Sequence, residues 1–227
     1  MKAIAYFSAP ILASAHPFAG KDDKRNYLNG INVRPSVDGG VIISASNGHV
    51  LFVCRDPEGW CKQDLILAPS KPLSSAARKR TSGLFVAANN GIGMVLDNVQ
   101  SSDHEHSKHQ IARAQLASPA STNVLGTLEV IDGKFPDVVK VFDRFTESNK
   151  PVVIDEIYLA LMKETFSRLS DQGWTGLEIT AGECQVLVRS NDPEVQAIAL
   201  ANGIDGDPLS PFNTDWLAMS DDERTKG

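Results

Sequence analysis

The sequence predicts an α+β fold of antiparallel sheets with one helix per half-domain, and three observations carry that prediction. Three segments share the order helix, strand, turn, strand, which sets helical and alternating periodicities side by side. Tight-turn pairs such as Asn29-Gly30, Gly39-Gly40 and Asn90-Gly91 separate short β-branched runs, as hairpins require. Apolar residues make up 42% of the 227 positions and charged residues 22%, which suits a packed core and excludes a disordered composition.

In the first segment, residues 10–18 predict a short helix, with Ile11, Leu12, Ala15 and Phe18 on a rough apolar face. Residues 31–33 and 41–45 predict two strands joined at Asp38-Gly39-Gly40, and Asn47-Gly48 turns the chain into a third strand at 50–54. The second segment opens with a strand at 65–68, then Pro69 and a candidate helix at 73–80. Residues 83–88 and 93–99 flank a second hairpin turn, and 124–131 return as a strand. The third segment holds the clearest helix: Ile154, Ile157, Tyr158, Leu161, Met162, Phe166 and Leu169 recur at helical spacing, with Asp155 as its cap. Strands at 176–181, 184–190 and 195–200 follow. Gly30-Ile31-Asn32-Val33 aligns with Gly176-Leu177-Glu178-Ile179, an architectural repeat with little identity. Residues from 202 onward read as a Gly-, Pro- and acid-rich tail.

At about 100–200 residues per domain, the length allows one large domain or two small ones. Cys54, Cys61 and Cys184 are too few for a disulfide framework or a four-thiolate zinc site, and predict a reduced, cytoplasmic location. Met1-Lys2, an apolar run and Ala13-Ser14-Ala15 outline a secretory leader, but Ser8 and Pro10 interrupt the run, which is read as part of the fold. No apolar stretch approaches the roughly 18–20 residues of a membrane span, so no membrane partner is expected. The net charge of −6 argues against a surface that coats nucleic acid, while leaving room for a local basic face.

Four short runs then resemble one family. Arg25-Asn26-Tyr27-Leu28-Asn29-Gly30 follows the acidic pair Asp22-Asp23, and Ser46-Asn47-Gly48-His49 comes 17 residues later. Leu65-Ile66-Leu67-Ala68-Pro69 enters the second helix, and Lys134-Phe135-Pro136-Asp137 ends the series. Together, over residues 1–142, they resemble the bacterial DNA polymerase sliding clamp, the β subunit family. The likeness implies the DNA clamp (processivity) fold, with a middle domain at 1–147 made of half-domains at about 1–62 and 63–147. It implies a third half-domain at 150–203, similar to the start of the family's last domain, and leaves 204–227 as the tail. Val50 stands where the family carries a basic residue, and Val138 where it carries Tyr. The family's C-terminal strand, half of its partner-binding cleft, finds no match in the sequence.

The resemblance implies a non-enzymatic protein without cofactors that holds the phosphate backbone of double-stranded DNA and reads no bases. Lys71, Arg78, Lys79 and Arg80 form a basic patch with no acid among them, and Lys24, Arg25 and Tyr27 cluster after the first helix. These seven are the expected DNA contacts; the competing reading is a solvated helix end. Lys163 and Arg168 are offset by Asp155, Glu156 and Glu164. The likeness also places Gly48, His49, Leu51 and Asp143 in a cleft for peptides of polymerase or other clamp-binding proteins. Against that stands a plain Asn-Gly turn with a satisfied histidine, and a Phe135-Pro136 plug in the core.

Two further features complete the reading. Asp103-His104-Glu105-His106-Ser107-Lys108-His109 is dense enough to bind a metal, and a metal-dependent enzyme using His104, His106 and His109 is the distant third hypothesis. Pro208-Leu209-Ser210-Pro211-Phe212 is partly similar to the Gln-Leu-Ser-Leu-Phe type of clamp-docking peptide. The principal expectation is a clamp-like replication or repair accessory that forms a homo-oligomer. The alternative is a decoy or adaptor on the same fold that binds a complete clamp without encircling DNA.

Overall fold

The protein is described here by a computed structural model covering residues 2–21, 23–96, 123–150, 152–170, 176–190, 192 and 195–203. The first segment runs through strand β1 (Ala3–Ser8), helix α1 (Ala9–Ala15), β2 (Ile31–Pro35), β3 (Val41–Ser46), β4 (Val50–Asp56) and β5 (Trp60–Cys61). Pro10 starts α1, where its fixed φ suits the first turn and its lacking N–H goes unmissed. The second segment contains β6 (Leu65–Pro69), α2 (Lys71–Arg78), β7 (Leu84–Ala88), β8 (Ile92–Leu96) and β9 (Val124–Ile131). A short helix α3 (Val138–Asp143) leads to the third segment, with α4 (Glu156–Leu169), β10 (Leu177–Ala181), β11 (Gln185–Ser190) and β12 (Ala197–Asn202). Asp155 caps α4 as expected, accepting from the Ile157 amide at 2.9 Å, a bond worth about 1 kcal/mol.

The strands line up in one antiparallel series, β10-β11-β12-β4-β3-β2-β6-β9-β8-β7-β1-β5. Its order shows an exchange between the first two segments. β1 leaves its own segment and pairs with β7, with Tyr6 opposite Val86. In return β6 pairs with β2, with Asn32 opposite Ile66. The helices follow the same logic, α1 packing on α2. The third segment joins through β12, which pairs with β4 and sets Leu200 opposite Leu51.

Side chains alternate across the sheet, and the two faces have different tasks. On one face Phe7, Ile31, Phe52, Leu67 and Val95 pack beneath all three long helices, with Leu12, Leu73, Met162 and Phe166 fully buried. Phe18 stacks on Phe52 at 5.1 Å between ring centroids. The opposite face carries Tyr6, Val86 and Met94 at one end, and Leu28, Leu51, Ile66, Phe135 and Val138 in the middle.

Four details depart from the sequence reading. The apolar start is not only a helix: Ala3–Ser8 is a strand. The first helix ends at Ala15 and tightens into a 3-10 turn over His16–Phe18, where Pro17 removes an amide donor. The short elements β5 and α3 carry too few residues to show a period. Ile157 belongs to the expected apolar stripe yet is 65% exposed, because it lies about 140° around the helix from Met162.

Candidate functional site

The cleft begins at the turn after β3. Asn47 Oδ1 accepts from the amides of His49 (2.9 Å) and Val50 (3.0 Å), and Ser46 Oγ accepts from Gly48 (3.0 Å). These bonds lock the turn and present His49 at its tip. Gly48 has φ +90°, and a Cβ there would stand 2.5 Å from the Arg25 guanidinium. Glycine suits this backbone conformation, and any side chain there would displace the end of the arginine lying over it.

Arg25 is itself held by a two-pronged bond to Asp23, with Nε to Oδ1 at 3.0 Å and Nη2 to Oδ2 at 2.8 Å. The planar fork matches a carboxylate better than any single charge would. The guanidinium pulls the Asp23 carboxyl down to about 2. Asn29 fixes the loop that carries the pair, accepting from the Asp23 amide and donating to its carbonyl.

The cleft floor is apolar. Leu28, Leu51, Phe135 and Val138 are buried together, and Pro136 and Val141 extend the lining. The far wall comes from the third segment: Gln185, Leu200 and Asn202. Asn202 donates its amide to the His49 carbonyl at 2.8 Å, and its side-chain oxygen accepts from Gln185 at 3.1 Å. The cavity holds about 250 Å³, open on one side, with Arg25, Tyr27 and His49 at its rim. Such a trough takes one or two apolar anchors of an extended chain and offers polar groups to its backbone.

The helix face is different in character. Lys71, Arg78 and Lys79 are exposed on or just after α2, and none of them is ion-paired among the described residues. Arg80 bonds the Ala76 carbonyl at 2.8 Å. Arg168 of α4 donates to the Arg78 carbonyl at 2.9 Å while its other nitrogen holds Glu164 at 2.9 Å. Burial, then the charges of Arg78 and Lys21, push the His16 imidazole below its ordinary value.

Comparison with known proteins gives these two faces a context. The chain is 30% identical over 180 residues to the beta sliding clamp of Pseudomonas aeruginosa, covering 77% of this chain. Its match spans 41% of that relative's length. The crystal structure of the DNA polymerase sliding clamp from Bacillus subtilis superposes with a TM-score of 0.51 at 13% identity, over 97% of this chain and 69% of that one. This is the sliding-clamp fold. The Streptococcus pyogenes β subunit aligns over 96% of this chain and 68% of its own, at 14% identity and TM-score 0.48; the fold assignment rests on the Bacillus structure. No protein-family model matches the chain.

The chain is thus a clamp-like relative of the bacterial β sliding clamps, and its expected site residues divide between two faces of the sheet. Gly48, His49 and Leu51 line the cleft together, joined by Arg25 and Tyr27, which the sequence grouped with the basic patch. Asp143 is exposed at the end of α3 and does not line the cleft. Lys71, Arg78, Lys79 and Arg80 lie with α2 on the helix side, and Lys24 is exposed in the loop beside Arg25. Phe135 both plugs the core and floors the cleft. Sequence reasoning missed Gln185, Leu200 and Asn202, which reach the site through the β12–β4 pairing; the unbroken apolar run of residues 197–201, the mark of a strand covered on both faces, was the available signal. The histidine run at 104–109 and the tail motif at 208–212 lie outside the described residues.

Proposed function

We propose that this clamp-like chain is a non-enzymatic accessory of DNA replication or repair that captures extended peptides of polymerase or other clamp-binding proteins. The single observation that carries the reading is the three-walled cleft, in which Gly48, His49 and Leu51 face Phe135 and Val138 on one side and Leu200 on the other. Apolar anchors filling a preformed pocket supply most of the affinity in such recognition. On the opposite side of the sheet, Lys71, Arg78, Lys79 and Arg80 are the groups proposed to meet the phosphate backbone of duplex DNA, sequence-independently. Lys24, in the loop beside Arg25, is proposed as a separate phosphate contact on the cleft side. The chain acts in the cytoplasm as a homo-oligomer, with clamp-like units at 1–147 and 150–203.

The test is titration of a fluorescent Gln-Leu-Ser-Leu-Phe peptide against the full chain. Saturable binding with Kd on the order of 1–100 μM is expected, and a tenfold loss on His49→Glu. Binding indistinguishable from a scrambled peptide overturns the reading.

A second reading, an adaptor that binds a partner clamp and never encircles DNA, is favoured by one observation. Glu164 holds Arg168 at 2.9 Å on the same helix side, so the face is of mixed charge within a chain of net charge −6. Retention on circular but not linearised duplex supports encirclement; no retention on either, with peptide binding intact, supports the adaptor.

A further inference from the structure

Three of the four cations proposed to meet duplex phosphates, Arg78, Lys79 and Arg80, stand at the exit of α2. An α-helix leaves its last four carbonyls without partners inside the helix, and a glycine after the cap commonly closes that end. In α2 the cap is Lys79, in right-handed conformation, and Arg80 follows it where the glycine would stand. Two guanidinium groups hold the end instead. Arg80 Nη1 donates to the Ala76 carbonyl at 2.8 Å from the helix's own exit. Arg168 Nη1 donates to the Arg78 carbonyl at 2.9 Å from α4, 90 residues away in sequence. Cations at a helix C-terminus also suit its dipole.

Arg168 differs from the exposed cations of α2. Its side chain is only 20% exposed, and Nη2 is held at 2.9 Å by Glu164, one turn earlier on α4. One planar group is shared between a carboxylate and a peptide carbonyl, a division that the guanidinium fork permits and a single ammonium does not reproduce. Its charge is already matched by Glu164. What it fixes is the peptide unit that follows Arg78. The Arg78 side chain departs from the last helical residue, whereas Lys79 lies beyond that peptide unit and takes its direction from it. Lys79 is exposed and is not ion-paired among the described residues.

We propose that Arg168 is a positioning residue for the duplex contact: through the Arg78 carbonyl it aims Lys79 at the phosphate backbone, and it does not itself meet phosphate. The inference rests on the proposed contact between α2 and duplex DNA and makes that contact depend on α4. A cation aimed in advance loses less freedom when it binds, and so contributes more of its charge to affinity. The third segment thereby acts on both sides of the sheet, through Leu200 and Asn202 in the cleft and through Arg168 among the helices.

The salt dependence of duplex binding by the full chain is the test, with a fluorescein-labelled duplex titrated at several salt concentrations. The slope of log K against log salt counts phosphates neutralised per bound molecule, so a partly unfolded sample does not change it. Arg168→Lys keeps the charge and breaks the shared fork. It is expected to make the slope shallower by about 0.9, one phosphate, and to weaken binding about three- to tenfold at ~0.1 M salt. Lys79→Gln is expected to do the same, and the double variant to go no further. Arg78→Gln is expected to remove another 0.9 or so in either background, since the helix itself anchors that residue. Glu164→Gln, at a side chain 60% exposed, releases the brace without disturbing packing and is expected to make the slope shallower as well. An unchanged slope in Arg168→Lys, a double variant that loses about two phosphates, or an unchanged or steeper slope in Glu164→Gln overturns the proposal. Absence of salt-dependent binding by the unaltered chain removes the duplex reading itself, and this inference with it.

Discussion

The amide of Asn202 donates to the carbonyl of His49 at 2.8 Å, tying the end of the last described strand to the turn that opens the cleft. Asn202→Pro removes that donor and leaves the half-buried ladder end short of one bond, besides straining the strand at the proline. Urea denaturation is expected to show a loss of roughly 1–3 kcal/mol. Peptide affinity should fall with it, because Leu200 and Gln185 depend on the same strand end. An unchanged urea midpoint would mean that the stitch contributes nothing.

Gly48→Ala tests the turn from the other side. A side chain at φ +90° costs about 1–3 kcal/mol, and its methyl meets the Arg25 guanidinium. Pairing it with Arg25→Ala should recover the steric part and leave the backbone strain. A double-mutant cycle by thermal melting checks this; strictly additive losses would separate the two residues.

The Asp23–Arg25 fork predicts a pH response at the acid end. Asp23 is held near 2, below its ordinary 3.8, so the fork is fully present above about 3.8 and fades as pH falls through 2. The carboxyl resonance should titrate near 2 in the unaltered chain and return toward the ordinary value in Arg25→Gln. A midpoint near 4 in both proteins would remove the fork from the solution structure.

The three thiols should separate by reactivity. Burial, helped by Asp64, raises Cys61 to about 12, and burial raises Cys54 further, while Cys184 is exposed. At pH 8 a group titrating near 12 is thiolate in a fraction on the order of 10⁻⁴, and the thiolate is the nucleophile. Iodoacetamide should therefore add once to the native chain, at Cys184, and three times after unfolding in guanidinium. Native labelling of Cys54 would contradict its place in the core.

Local chemistry made much of the fold readable. Asn47-Gly48 announces a turn, Met162 and Phe166 announce a buried helical stripe, and both stand where the sequence puts them. The periodicity reached its limit at Ile157, since an apolar stripe records which residues are greasy and not which flank meets a neighbour. Pairing over long separations was not legible. Nothing in residues 3–8 names Val86 as the partner of Tyr6, because strand ladders are joined through backbone groups that every sequence shares. Leu200 was missed for the same reason: its role arises only when β12 lies beside β4. Arg25 and Tyr27 sit with Lys24 in the loop before β2, and that they line the cleft depends on distant neighbours such as Gly48, which the loop's own residues do not name.

The crossing of β1 to β7 also orders events in time. Residues 3–8 are made well before β7, their longer partner strand, which begins at Leu84, so synthesis must pass some eighty residues before that pair can close. Contacts so far apart in sequence slow the search for the native state and delay the commitment of both halves. A ribosome-bound fragment ending near residue 62 would hold β1 with only the two-residue β5 beside it, and β2 without β6. Such a nascent fragment should stay protease-sensitive, acquiring resistance in one late step once β7 has emerged.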